Sequence, residues 1–145
     1  MKTTEVLLVD DNPADSDLTG EVLARNGCPS NIHAVVNGAE AVAFLRREGK
    51  YADAVLPDFV ILDLNLPRKD GRAVLAEVKA DPLLRKIPIA IFSTSEAPQD
   101  IARSYELGAN CYVSKPGNLQ DFVSAVTSIG EFWFAVARLP REEEQ

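Results

Sequence analysis

Asp10 and Asp11 stand side by side at the end of one short apolar run, and Asp63 closes another. Ser93 and Thr94 end a further such run, and Lys115 ends the last. A carboxylate can attack phosphorus and carry the phosphoryl group as an aspartyl phosphate. That reaction needs in-line placement and charge neutralisation more than it needs proton transfer. Lys115 supplies one positive charge, and the Ser93 hydroxyl can bond a phosphoryl oxygen. If Asp10, Asp11 and Asp63 meet, each pair at about 4 Å repels by on the order of 4 kcal/mol at an effective dielectric of 20. A divalent cation removes that cost. All-oxygen ligands with few carboxylates suit Mg²⁺, and no histidine or cysteine joins the set to favour zinc. Each residue also has a plainer reading. Asp10 and Asp11 can cap a helix, Asp63 can open a turn, Ser93 to Ser95 can be a loop, and Tyr112 can be an ordinary strand aromatic. The weight lies in the ordered set rather than in any member.

The elements that must position these residues are five strands alternating with five helices. Strands are expected at residues 6–9, 32–36, 59–62, 89–92 and 111–113. The first helix starts at Asn12-Pro13 and stops at Gly27, and others are expected at residues 39–47, 73–80 and 98–107. The last starts near Leu119 behind Asn118 and reaches about Ala137. Continuous apolar strands joined by helices imply an α/β fold, a parallel sheet covered on both faces. Ligands of such sheets bind beyond the carboxyl ends of the strands. The strand order 2-1-3-4-5 is borrowed from known doubly wound sheets, and it would set the first and third strands side by side.

The 145 residues fit one domain, with an acidic tail at residues 141–145. A net charge of -7 argues against a nucleic-acid surface and against an anionic membrane. No apolar run approaches the roughly 18 residues of a membrane span, and no signal peptide is expected ahead of the first strand. Cys28 and Cys111 have neither redox nor metal-ligand spacing, which fits reduced thiols in the cytoplasm. His33, the one histidine, lies in a strand and is read as structural.

With these residues in place the sequence resembles a response regulator receiver domain, over about residues 5–126. The resemblance rests on Asp10-Asp11, on Val60-Ile61-Leu62-Asp63-Leu64-Asn65-Leu66-Pro67 with Asp70-Gly71, on Ser93, and on Lys115-Pro116. It implies the flavodoxin-like receiver fold and makes Asp63 the phosphoacceptor. It implies that Asp11 and Asp63 bind Mg²⁺ by their side chains, Asp10 largely through water, and Asn65 through its backbone carbonyl. Lys115 would pair with the phosphoryl group, and Ser93 and Tyr112 would be the switch residues. Thr94 stands where the family often has alanine and would narrow access to Asp63. The Lys115-Pro116 bond would be cis. The 64–69 run, the long loop before the third strand and the ending Gly130-Glu131-Phe132-Trp133 resemble the stand-alone receivers paired with bacterial phytochromes. The implied partner is a light-regulated histidine kinase, and the implied function is signalling rather than enzymatic turnover.

Two other classes compete. A phosphatase of the haloacid dehalogenase type also uses an aspartate nucleophile and Mg²⁺. It wants a second acid two residues on, where Asn65 stands, and it carries its nucleophile on the first strand rather than the third. A flavodoxin-like electron carrier wants a phosphate-cradling loop after the first strand, where Asp10-Asp11 would repel phosphate. In the last helix Leu119, Phe122, Val123, Val126, Ile129 and Trp133 form one apolar stripe. Phe132, Phe134 and Val136 extend it, which leads to the expectation of a homodimer contact through the fourth and fifth elements and this helix, with tight intramolecular packing of the C-terminus as the alternative.

Overall fold

Apolar residues at consecutive positions form strands that can be buried on both faces, and this chain has three fully apolar runs, at residues 6–9, 59–62 and 89–92. The computed structural model describes residues 3–140. Its strands are β1 (Thr4–Val9), β2 (Ser30–Val35), β3 (Phe59–Leu62), β4 (Ile89–Ser93) and β5 (Cys111–Ser114). Its helices are α1 (Pro13–Ala24), α2 (Gly38–Arg46), α3 (Gly71–Ala80), α4 (Pro98–Glu106) and α5 (Leu119–Gly130). The sheet is parallel throughout, in the order β2-β1-β3-β4-β5.

Alternation along the strands divides the core in two. Leu7, Val9, Val60, Leu62, Ile89 and Ile91 face one way and pack with Val42, Leu45, Val74 and Leu75 of α2 and α3. Val6, Leu8, Phe59, Ile61, Ala90 and Phe92 face the other way and pack with Val22 and Leu23 of α1 and Phe122, Val126 and Ile129 of α5. The helices begin where polar side chains cap them. The side-chain oxygens of Asn12, Asn37, Asp70 and Asn118 accept the backbone N–H groups of Asp15, Glu40, Ala73 and Asp121. These caps start α2 one residue earlier and α3 two residues earlier than the apolar periodicity alone indicates.

Gly71 shows why α3 can sit so near the site. A Cβ there would lie 2.2 Å from the Asp63 carbonyl oxygen and 2.7 Å from Leu64 Cα. Only glycine lets the start of α3 close on the loop that follows Asp63.

The chain's end departs from the expected uninterrupted helix to Ala137. After Gly130 the helix widens into a π-helical turn, Glu131–Val136. Trp133 stacks on Phe59 at 5.0 Å between ring centroids, and Phe134 meets the same ring edge-on at 6.1 Å. The wider turn brings two adjacent aromatics onto one buried ring. Leu119, placed on the inward stripe by its spacing, is instead exposed, because it is the first residue of α5 and lies outside the packed turns. The acidic tail lies outside the described residues. Among the described residues no helix is long and apolar enough to cross a membrane.

Candidate functional site

Backbone pairing delivers the carboxylates to one edge of the sheet. The Asp10 N–H donates to the Val35 carbonyl at 3.1 Å, and the Asp63 N–H donates to the Val9 carbonyl at 3.0 Å. Asp10 and Asp63 therefore leave neighbouring strands at the same level. Both are buried, whereas Asp11 is exposed at the rim. One carboxylate oxygen from each of Asp10, Asp11 and Asp63 lies within 4.8 Å of the others.

Lys115 enters from the far side of the sheet. Its backbone N–H donates to the Ser93 carbonyl at 2.7 Å, which fixes the residue at the end of β5. Its buried ammonium donates to Asp10 Oδ2 at 2.8 Å, to Asp63 Oδ2 at 3.0 Å and to Asp15 Oδ2 at 3.1 Å. The second oxygen of Asp10 accepts the Asn12 N–H at 2.9 Å, and that of Asp63 accepts the Asn65 N–H at 3.2 Å. The site thus sets one cation against four carboxylates. Burial alone would lower the Lys115 pKa, but bonds and attraction from Asp10 and Asp63 outweigh it and push the ammonium well above its ordinary value. Burial pushes the Asp10 carboxyl up, and Asp63 adds to that, while Lys115 and the Asn12 N–H pull it back. The Lys115 shift follows from its carboxylate partners, and the Asp10 shift follows chiefly from burial. The oxygen-only donor set and the uncompensated carboxylates fit a hard divalent cation.

The other expected site residues lie at β4 and β5 and on the loop after β3. Ser93 is fully buried at the end of β4, and its Oγ accepts a long 3.4 Å bond from the Ser95 N–H. Thr94 is exposed beside it, and Asn65 is exposed on the loop after β3. Tyr112 is half-buried in β5, and its hydroxyl donates to the Ser95 carbonyl at 2.9 Å. The Lys115-Pro116 bond is trans, against the expected cis form. Trans is the isomer favoured by about 0.5–1 kcal/mol in an X-Pro bond. His33, on the edge strand β2, pairs with Glu5 Oε1 at 3.0 Å and takes no part in the site.

Sequence reasoning missed two features. Asp15 joins the site because an acid three residues after the Asn12 cap lies in the first turn of α1, directly over the strand ends. Its offset from a strand-end cap was the available signal. The second is a chain of contacts behind Ser93, in which Ser95 Oγ donates to Asp100 at 2.6 Å and Arg72 of α3 donates to the same carboxylate at 2.8 Å. Nothing local in the sequence links Arg72 to Asp100.

Comparison with known proteins agrees with this geometry. Residues 6–127 match the model of the response regulator receiver domain. Response regulator Rcp1 of Synechocystis sp. is 43% identical over 135 residues, covering 93% of this chain and 92% of the relative. The crystal structure of the Mn(2+)-bound form of Rcp1 superimposes with a TM-score of 0.93 at 42% identity, over 95% of this chain and 99% of that one. The phosphorylated cyanobacterial phytochrome response regulator RcpA gives a TM-score of 0.94 at 48% identity, over 97% of this chain and 100% of that one. This breadth of match leaves the phosphatase reading without support, and with the acidic edge of β1 and β3 facing Lys115 it establishes that the chain belongs to the response regulator receiver family.

Proposed function

We propose that Asp63 accepts a phosphoryl group from the phosphohistidine of a sensor histidine kinase of the phytochrome type, and that the chain acts as a single-domain switch. The observation that carries this is the Asp63 carboxylate itself. It is held between Lys115 and the Asn65 N–H at the one sheet edge where three acids converge. In the transfer, an Asp63 oxygen forms the new P–O bond as the P–N bond to the donor imidazole, protonated on its other ring nitrogen, breaks, and the electron pair stays on the ring, which leaves as neutral imidazole. Lys115 faces the developing charge on the phosphoryl oxygens. Asp10, Asp11, Asp63 and the Asn65 carbonyl would hold Mg²⁺, which supplies the remaining neutralisation when bound. Ser93, at the end of β4, would bond the phosphoryl group, and exposed Thr94 would narrow the approach of water. The kinase type is supported by the likeness to the cyanobacterial phytochrome response regulator RcpA.

The added group brings about two negative charges to the edge of β3 and β4. Tyr112 and Ser93 both reach the loop around Ser95, so a shift of Ser93 toward the phosphoryl group bears on the Tyr112 hydroxyl bond. The readout would be a changed α4–β5 surface, offered to a protein partner in the cytoplasm and not to nucleic acid or membrane. The chain's own chemistry would be limited to gaining and losing the phosphoryl group. A homodimer contact would use the apolar groove of about 560 Å³ lined by Cys111, Val113, Ile129, Phe132 and Trp133, with Phe132 50% exposed at its edge.

The test is intact-mass measurement after incubation with Mg²⁺ and acetyl phosphate. A single phosphoryl adduct is expected on the wild type and none on Asp63→Asn. An adduct that survives in Asp63→Asn, or steady turnover of phosphate esters, would overturn the reading.

A further inference from the structure

The four carboxylates of the site divide unequally between Lys115 and the converging acidic group. Asp10 and Asp63 belong to both, since each accepts an N–H from Lys115 and each contributes to the group whose oxygens lie within 4.8 Å. Asp11 contributes to that group alone. Asp15 is its opposite: it accepts from Lys115 at 3.1 Å and stands outside the converging group. Asp15 is also the most solvent-facing of the three acceptors, with its side chain 29% exposed against 3% for Asp10 and 9% for Asp63. The Asn12 cap fixes it there, because the Asp15 N–H donates to Asn12 Oδ1 at 3.1 Å.

This arrangement has a direct electrostatic consequence. A divalent cation that takes Asp10 and Asp63 competes with an ammonium already bonded to the same two carboxylates, and the two positive charges repel. Lys115 can yield only if another acceptor waits on the side away from the cation. We propose that Asp15 is that acceptor. It is a positioning residue that draws the Lys115 ammonium toward α1 and leaves Asp10 and Asp63 free to bind the cation. The inference rests on the proposed cation site.

Cation binding to the unphosphorylated protein tests it, measured with Mn²⁺ by calorimetry on the wild type, Asp15→Asn and Asp17→Asn. Asp17 is an exposed acid of the same helix and reports the loss of one negative charge alone. Asp15→Asn is expected to raise Kd about fivefold, the scale of one partly exposed ion pair, and Asp17→Asn to raise it less than about twofold. In a Lys115→Met background the extra effect of Asp15→Asn disappears, because the ammonium it steers is gone. Equal effects of the two asparagine variants would overturn the inference, and so would an Asp15→Asn effect that persists undiminished without Lys115. If Lys115→Met does not fold, the comparison of Asp15→Asn with Asp17→Asn decides alone. A wild type that binds no Mn²⁺ would instead overturn the cation site on which the inference rests.

Discussion

Replacing Lys115 by methionine removes the single cation from a buried acidic site, and its cost can be bounded from the structure. Asp10 is 3% exposed and Asp63 7% exposed, and each loses its bond of 2.8 or 3.0 Å to the ammonium. Breaking a buried pair by deleting one partner typically costs about 3–5 kcal/mol. The abandoned acid has an escape, which is to take up a proton. For a carboxyl of ordinary pKa 3.8 that escape costs about 4 kcal/mol at pH 7 and about 1.5 kcal/mol at pH 5. The expected loss is therefore about 3–4 kcal/mol at pH 7 and about half of that or less at pH 5. The sign follows from the direction of the shift. Without Lys115 the folded pKa of Asp10 rises further above its unfolded value, so stability present at low pH is lost as pH rises. Urea unfolding of wild type and Lys115→Met at the two pH values, without divalent cation, measures both numbers. Saturating Mg²⁺ should then stabilise Lys115→Met more than wild type, because the cation meets carboxylates that no ammonium holds. A variant as stable as wild type at pH 7, or a loss that does not shrink at pH 5, would refute the reasoning.

Gly71→Ala should lose about 3 kcal/mol in the same urea assay, since its Cβ would fall on the backbone of Asp63 and Leu64, which cannot move aside without moving the site. A loss under about 0.5 kcal/mol would mean that α3 does not close on that loop as described. For the homodimer, sedimentation at high concentration should show a dimer that Phe132→Glu abolishes, and a monomer both with and without a phosphate mimic would refute it.

The layout of the fold was legible because its signals are local. Val60 to Leu62 can only be buried, Asp63 must follow them, and Pro13 and Gly27 bracket a helix. The strand order was not legible. It depends on which strands pair, a contact between residues such as Val9 and Leu62 that no local pattern encodes, and it had to be borrowed before the structure gave it. The same divide runs through the site. Asp10, Asp11, Asp63, Ser93 and Lys115 could be put forward as candidates because each lies at a strand end and ligands gather at strand ends. Asp15 was missed because it enters from a helix turn. Arg72 and Asp100 were missed because they sit on different helices 28 residues apart. The π-helical turn was missed because it answers to Phe59, 74 residues before Trp133, rather than to its own periodicity.

The burial pattern also says where a signal can leave this site. β3 and β4 are buried at every position, and in β1 only Glu5 is less than fully buried, so a charge added at Asp63 has little there to displace cheaply. α4 buries only Ser104 of its nine residues, and every residue of β5 is half-buried. What ties α4 to its neighbours is largely polar: Ser95 Oγ and Arg72 donate to the Asp100 carboxylate, and the Tyr112 N–H donates to the Tyr105 hydroxyl. Those bonds, through Ser95, begin two residues from Ser93. Hydrogen bonds of this kind contribute about 1 kcal/mol each, so a rearrangement that exchanges a few of them lies within reach of a phosphoryl charge, whereas repacking Phe92 or Leu62 does not. A phosphoryl group accepted at Asp63, as proposed, would thus find in α4 and β5 the elements whose equilibrium it can bias.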